Sequence, residues 1–270
     1  DDYIQWSIQW LNEIPRILKD NGSFYIFGYF RILSYLLIEI EKLGLAFRQQ
    51  IIIDKGIKSV SGRKTSTYKL FPNVTESVLF FVKNNQPKIK QFLIDQNKKK
   101  GLSSKEINIL LECEENGGGL WSLYAGDNIL AQIPTKEKWE KLEKIFDFKK
   151  PYSEVNFIYN PQMGLSNVWS DINFYEENRL HPTQKPLEII RRIIKASSNE
   201  GMIVLDPFLG SGSTAIAAKE LKRKYIGIEK EEEYCILAQE RIDNKHSYKK
   251  INGRNKKNTN DNELSLFKVG

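Results

Sequence analysis

Histidine, cysteine and methionine each occur only twice among the 270 residues. The two thiols, Cys113 and Cys235, stand far apart in sequence, which argues against a disulfide framework or a cysteine-rich metal site. No bound metal is expected. Also missing is any apolar run near the ~20 residues that a membrane-crossing helix needs. No signal peptide opens the sequence, so the cytoplasm is the expected compartment, with no membrane partner. The rest is ordinary for a globular chain, 40% hydrophobic and 28% charged, and long enough to bury one large core or two modest ones. A net charge of +7 favours a polyanionic partner, although a merely lysine-rich surface would read the same way.

The most informative stretch runs from Met202 to Thr214. Ile203, Val204 and Leu205 lead into Asp206, Pro207 and Phe208, then into Gly210-Ser-Gly-Ser213, and a smooth helical run follows from Ala215 to Leu221. That is a strand–loop–helix unit, which presents ligands at the carboxyl edge of a parallel sheet. Gly210 and Gly212 lack a Cβ and let the backbone come close to a ligand. A second short strand, Tyr225 to Ile228, ends in Glu229. An acid about 20 residues past such a loop can accept both ribose hydroxyls of a nucleoside. The structural alternatives are a dipole-stabilised acid at a helix N-terminus for Asp206 and an ordinary surface acid for Glu229.

The loop is not GxGxxG and so is not primarily a pyrophosphate cradle. With Asp-Pro-Phe before the glycines, it resembles the S-adenosylmethionine loop of the DNA amino-methyltransferases. Upstream, His181-Pro-Thr-Gln-Lys-Pro186 is followed by a helical run from Leu187 to Ser198 and then by the loop. This succession resembles the family's motif X running into motif I, in the beta-class order that puts the catalytic half first. The likeness covers the N-terminal third and residues 180 to 245, with little of the middle. It implies that His181, Pro182, Thr183 and Lys185 border the cofactor pocket. It further implies that Asp206, Pro207, Phe208, Gly210, Ser211, Gly212 and Ser213 form the cofactor loop, with Glu229 on the ribose. His181 titrates near neutrality, but the resemblance gives it a structural role and no proton transfer.

The fold implied is α/β, a Rossmann-like methyltransferase core. It combines a mostly parallel sheet with an antiparallel hairpin and a mainly helical target-recognition insert. The expected domains are residues 1–83, the catalytic half; 84–179, the insert; 180–245, the cofactor half; and 246–270, a polar basic tail expected to be poorly ordered. In the first, periodicity predicts a helix over residues 2–18, a strand over 23–27, a helix over 31–43 ended by Gly44, and strands over 48–54 and 76–82. Between those two strands a long loop carries Lys55, Lys58, Arg63, Lys64 and Lys69, with Tyr68 and Phe71 as aromatic surface. Loops of this length are uncommon unless functional, and this one is expected to contact DNA. In the insert, helices are expected over 88–96, 103–111 and 135–146, the second opened by a Ser103/Glu106 capping box. The first two, separated by the lysine run before Gly101, permit a helix-turn-helix reading.

The family also carries a catalytic tetrapeptide, Asp/Asn/Ser-Pro-Pro-Tyr/Phe. Pro-Pro occurs nowhere in these 270 residues, so no catalytic residue is assigned. Residues 1 to 30 resemble the helix and strand that follow the tetrapeptide, which is therefore expected upstream of Asp1. In the family its strand lies mid-sheet, so each half should leave an unpaired edge. A sequence that begins partway is the favoured explanation; a second polypeptide or a degenerate remnant are the others. The expected activity is site-specific methyl transfer from S-adenosylmethionine to adenine N6 in double-stranded DNA. Cytosine N4 and a non-catalytic DNA-binding subunit are the alternatives. A nicotinamide oxidoreductase would need GxGxxG where Gly-Ser-Gly-Ser stands, and an RNA substrate stays open. A cognate restriction endonuclease and a homodimer are admissible partners.

Overall fold

The computed structural model describes residues 2–56, 69, 71–113, 119–127, 130–174, 181, 183–243 and 265–267. By packing, the chain divides into two units, Asp1–Gln50 with Ser77–Ile158, and Ile51–Glu76 with Tyr159–Gly270.

The first unit opens with helices α1 (Asp2–Leu11) and α2 (Ile14–Ile17) in place of the single helix expected over 2–18. Pro15, in the first turn of α2, has no N–H to give the carbonyl of Leu11, so a continuous helix would lose a bond there. Strand β1 (Ser23–Gly28) and helix α3 (Phe30–Lys42) follow. Leu33, Leu36 and Ile40 make one buried stripe on α3. Past its end the chain reverses at Gly44, whose φ of +84° suits a residue without a side chain.

Strands β2 (Leu45–Asp54) and β3 (Thr75–Lys83) each run through both units. Asn84 N–H donates to Gly44 O and Lys55 N–H to Val74 O, so the two strands run in opposite directions, the hairpin expected. In the first unit β1 pairs antiparallel with β3, from Ser23 opposite Val82 to Gly28 opposite Ser77. Their core holds Leu11, Leu33, Leu36, Ile40, Leu79 and Phe81.

A second core in this unit is helical. Helix α4 (Gln86–Lys100) continues through the lysine run expected to separate two helices, and ends on Gly101 at φ +70°. Lys98, Lys99 and Lys100 favour that continuation, because cations stabilise the negative end of the helix dipole. Helix α5 (Ser104–Leu110) begins with the predicted capping box, complete in both directions. Helix α6 (Leu120–Ala125) was not expected; at six residues it is too short to show periodicity. Helix α7 (Lys136–Phe146) is capped by Thr135 Oγ1, and its Trp139 is fully buried with the indole N–H on Lys150 O at 2.7 Å. Ile89 and Leu93 of α4 and Ile107 of α5 pack into the same cluster.

In the second unit the end of β2 pairs parallel with β4 (Val168–Trp169). Then come α8 (Leu187–Ser197), β5 (Ile203–Asp206), α9 (Ser213–Glu220), β6 (Lys224–Glu229) and α10 (Glu232–Ile242). Strands β5 and β6 are parallel, Ile203 opposite Lys224 and Asp206 opposite Gly227, so β5–α9–β6 is a βαβ unit. A last strand, β7 (Ser265–Phe267), lies antiparallel on β6. It falls in the tail expected to be poorly ordered, the rest of which lies outside the described residues. Leu266 and Phe267 are apolar residues in a polar segment, enough to supply a short strand.

The described strands thus pair in both senses, making an α/β protein with mixed sheets. One sheet ends on β1 and the other on β5. Among the described residues, the opposite ends of the two sheets are β4 and β7.

Candidate functional site

The Asp206–Glu229 constellation lies wholly in the second unit. Strand β5 ends on Asp206, and the backbone turns at once because Asp206 Oδ1 accepts the Phe208 N–H at 3.0 Å. Thr214 Oγ1, in the first turn of α9, donates to the other oxygen at 2.6 Å. Burial pushes the Asp206 carboxyl above its ordinary range, against the pull of these two donors, and nearby Glu229 adds to the rise. Asp206 is therefore a carboxyl whose ionised form would gain from a cation beside it.

A tight turn follows, closed by Gly212 N–H on Leu209 O at 3.0 Å. Gly210 stands at φ +54° and Gly212 at φ +84°, backbone that side chains resist. A Cβ on Gly212 would lie 3.0 Å from Ala238 Cβ on α10, so the turn sits directly on that helix. The Phe208 ring is half exposed beside the turn. Glu229, at the end of β6, reaches across so that Gly210 N–H donates to its Oε2 at 2.7 Å. Its Oε1 accepts from Lys230 N–H at 2.8 Å and Glu231 N–H at 3.0 Å.

The His181–Pro186 turn closes on the loop from its other side. The His181 ring would lie 3.6 Å from a Cβ on Gly210 and packs edge-on against Tyr234 with centroids 4.1 Å apart. Thr183 N–H donates to His181 Nδ1 at 3.2 Å, which makes Nδ1 an acceptor and leaves the proton of the neutral ring on Nε2. Burial lowers the His181 pKa, although the Glu229 carboxylate pulls it upward. Ser211 Oγ bonds to Gln184 Oε1 at 3.2 Å, and Ser213 Oγ donates to Lys185 O at 3.1 Å. The Lys185 ammonium is paired with Glu76.

Of the residues singled out in the sequence, His181, Ser211, Gly210, Ser213 and Glu229, with the Lys185 main chain, are linked directly. Asp206, Pro207, Phe208 and Gly212 belong to the same loop, while Thr183 acts through His181. Pro182 lies outside the described residues, as do Lys58, Arg63, Lys64 and Tyr68. Lys55 and Lys69 are described, and among the described residues no hydrogen bond or ion pair joins them to this loop; Lys69 and Phe71 are exposed. The sequence reading missed Gln184, Thr214, Tyr234 and Arg241. Tyr234, Ala238 and Arg241 fall at i, i+4 and i+7 on one face of α10, a readable pattern that carries no hint of what the face touches.

The profile of a family described as DNA methylase, N6_N4_Mtase, matches residues 1–240. The chain is 31% identical over 268 residues to the type II methyltransferase M.HpaI of Haemophilus parainfluenzae, covering 96% of this chain and 66% of that protein. It is 28% identical over 246 residues to the DNA adenine methyltransferase YhdJ of Escherichia coli strain K12, covering 90% and 68%. The chain thus spans about two thirds of the length of these curated relatives. Among solved structures, that of the M1.HpyAVI–SAM complex aligns with a TM-score of 0.53 at 23% identity, over 87% of this chain and 81% of that one, a likeness of fold.

Proposed function

Since the chain belongs to the DNA methylase family of N6/N4 amino-methyltransferases, we propose that it serves site-specific methylation of DNA, with adenine N6 as the acceptor and S-adenosylmethionine as the donor. The observation that carries the cofactor assignment is the convergence of three separate segments on one turn. His181 packs over Gly210, Ser213 holds the Lys185 carbonyl, and Glu229 takes the Gly210 N–H.

These residues fit that cofactor. Its sulfur and amino group are cationic, and the Asp206 carboxyl sits where burial disfavours an uncompensated negative charge. The two left-handed glycines allow a tight turn that side chains would resist, and the half-exposed Phe208 ring offers an apolar face to a nucleoside. Glu229, at the end of β6 beside the turn, would take the ribose. His181, Thr183, Lys185 and Ser211 would form the surrounding wall, together with Pro182, Pro207, Gly212 and Ser213.

When bound, S-adenosylmethionine supplies an electrophilic methyl group on a sulfonium. The chain's own contribution is to bind and orient. Asp206 would face the cationic part of the cofactor and Glu229 its ribose, with the hydrogen-bonded turn between them, so that alignment rather than proton transfer by His181 would lower the barrier. No residue among these 270 is assigned to hold the target amino group. Lys55 and Lys69, with Lys58, Arg63 and Lys64, would contact DNA phosphates. The adenine reading is supported by the likeness to YhdJ; cytosine N4 is the second reading, because the family includes both.

Calorimetric titration with S-adenosylmethionine tests the site. Asp206→Ala and Glu229→Ala are each expected to abolish binding; unchanged affinity in both would sink the assignment. Nucleoside analysis of DNA after transfer of a labelled methyl group decides the base. N6-methyladenine is expected, N4-methylcytosine would replace that part of the proposal, and DNA binding without any transfer would favour a non-catalytic subunit.

A further inference from the structure

We propose that Arg241 is a positioning residue for the cofactor loop, its buried guanidinium holding the turn at Ser211 in the conformation that receives S-adenosylmethionine. This rests on the cofactor reading above and adds to it a residue outside the loop, the His181–Pro186 turn and the acid of β6.

Arg241 stands on the last turn of α10 and is 7% exposed. Its Nη1 donates to the carbonyl oxygen of Ser211 and, at 2.8 Å, to Ser211 Oγ. Burying a guanidinium is costly, so a protein that keeps one beneath a loop must recover that cost through its hydrogen bonds. Both of these bonds go to a single residue, and that residue lies between two glycines.

The position matters because of what flanks it. Gly210 and Gly212 both adopt positive φ and, having no side chain, resist peptide rotation least of all residues. A turn of this kind can change type by rotating a peptide plane, which would redirect the groups facing the ligand. Two contacts oppose that rotation. Glu229 takes the N–H of Gly210, ahead of Ser211. Arg241 takes the carbonyl of Ser211, behind it. An anion thus restrains one peptide of the turn and a cation another. The hydroxyl that Arg241 also holds is the one bonded to Gln184, so the same guanidinium ties the loop to the His181–Pro186 segment. Charge-assisted bonds of this sort are stronger than neutral ones and geometrically stiff. Arg241 does not touch the reacting atoms; it acts through Ser211.

The test uses the full chain with Arg241→Met, which keeps bulk and removes the donors, and Arg241→Lys, whose ammonium can serve both acceptors. Affinities for S-adenosylmethionine and for duplex DNA are measured separately, well below each variant's melting temperature. R241M is expected to weaken cofactor binding tenfold or more with DNA affinity unchanged, and R241K to stay within threefold of wild type. A role limited to filling space would spare R241M, so cofactor affinity within twofold of wild type in a folded R241M overturns the inference. Equal loss of cofactor and DNA affinity would mark a general structural defect and overturns it too. If R241M does not fold, Ser211→Ala is set against Gln184→Ala, since both delete the Gln184 bond but only the first removes an acceptor of Arg241. A further threefold loss in S211A supports the proposal, and equal losses overturn it. Should the wild type itself not bind S-adenosylmethionine, the cofactor reading fails and this inference with it. A wild type that binds alongside an indifferent R241M sinks the inference alone.

Discussion

Asp206 and His181 show how much of this site is settled one side chain at a time. The Asp206 pKa stands above the ordinary carboxylate value of 3.8, so folding favours its protonated form. Any stability this gives is full below that value and is lost as pH rises through the folded pKa, above which the charged form carries the cost of burial. Thr214 Oγ1 then matters as one of two donors that offset the cost. We expect Thr214→Val, which keeps the shape and removes the donor, to destabilise the chain by about 1–3 kcal/mol in urea unfolding at neutral pH. No change would mean that solvent reaches the carboxyl. His181 runs the other way, its pKa lowered from an ordinary 6.5 by burial. The stability tied to its neutral form is full above 6.5 and falls away as pH drops through the lower folded value. Protonation would also take from Nδ1 the lone pair that accepts the Thr183 N–H. Glu229 opposes both effects by favouring the charged ring. Between pH 7.5 and 5.5, His181→Gln is expected to lose less stability than wild type in parallel thermal melts; identical slopes would show that His181 does not titrate in that window.

Among the elements, those with local signals were the most legible. Ser103 and Glu106 announce the start of α5 because a capping box is made by residues three apart, and the structure completes it in both directions. Ser103→Ala should cost about 1 kcal/mol, seen as a lower midpoint of helical unfolding by circular dichroism, and an unchanged midpoint would show that tertiary packing alone holds α5. Elements where two local signals compete differ from the reading. The lysine run reads as a break on charge alone, yet it lies where a helix end welcomes cations, so α4 runs on to Gly101. The helix expected over residues 2–18 breaks because Pro15 outweighs a good apolar period. Helix α6 is held by what lies around it: Asn108 Oδ1 accepts the Trp121 N–H at 2.9 Å, and Trp121 and Tyr124 are buried in the helical core.

For the whole molecule, the net charge of +7 is the term that DNA would sense at a distance. Duplex binding should weaken steeply with added salt, log K falling linearly with log salt concentration. Replacing both Lys55 and Lys69 by alanine should make that slope shallower by about two, if each neutralises one phosphate. An unaltered slope would remove these two lysines from the interface. Mixed pairing is also a property of the whole chain. The strands of the parallel β5/β6 pair and of the β2/β3 hairpin were foreshadowed by apolar runs, and the hairpin pairing by the family resemblance, whereas strand β7, pairing with β6 from far along the sequence, was not.

The sequence by itself determined the local grammar of the protein: the strand–turn–helix from Ile203 to Glu220, its two glycines, the acid at Glu229 and the segment from His181 to Pro186. Those signals are written in neighbouring residues and in fixed spacings, where backbone sterics and capping chemistry act. Tertiary structure alone decided which groups meet. Only in three dimensions does Glu229 take the Gly210 N–H, His181 lie between Gly210 and Tyr234, and Arg241 reach under Ser211. Such contacts join segments 19 to 30 residues apart or more. Their geometry is set by how α10 and the His181–Pro186 turn pack on the loop, which no single window of sequence contains.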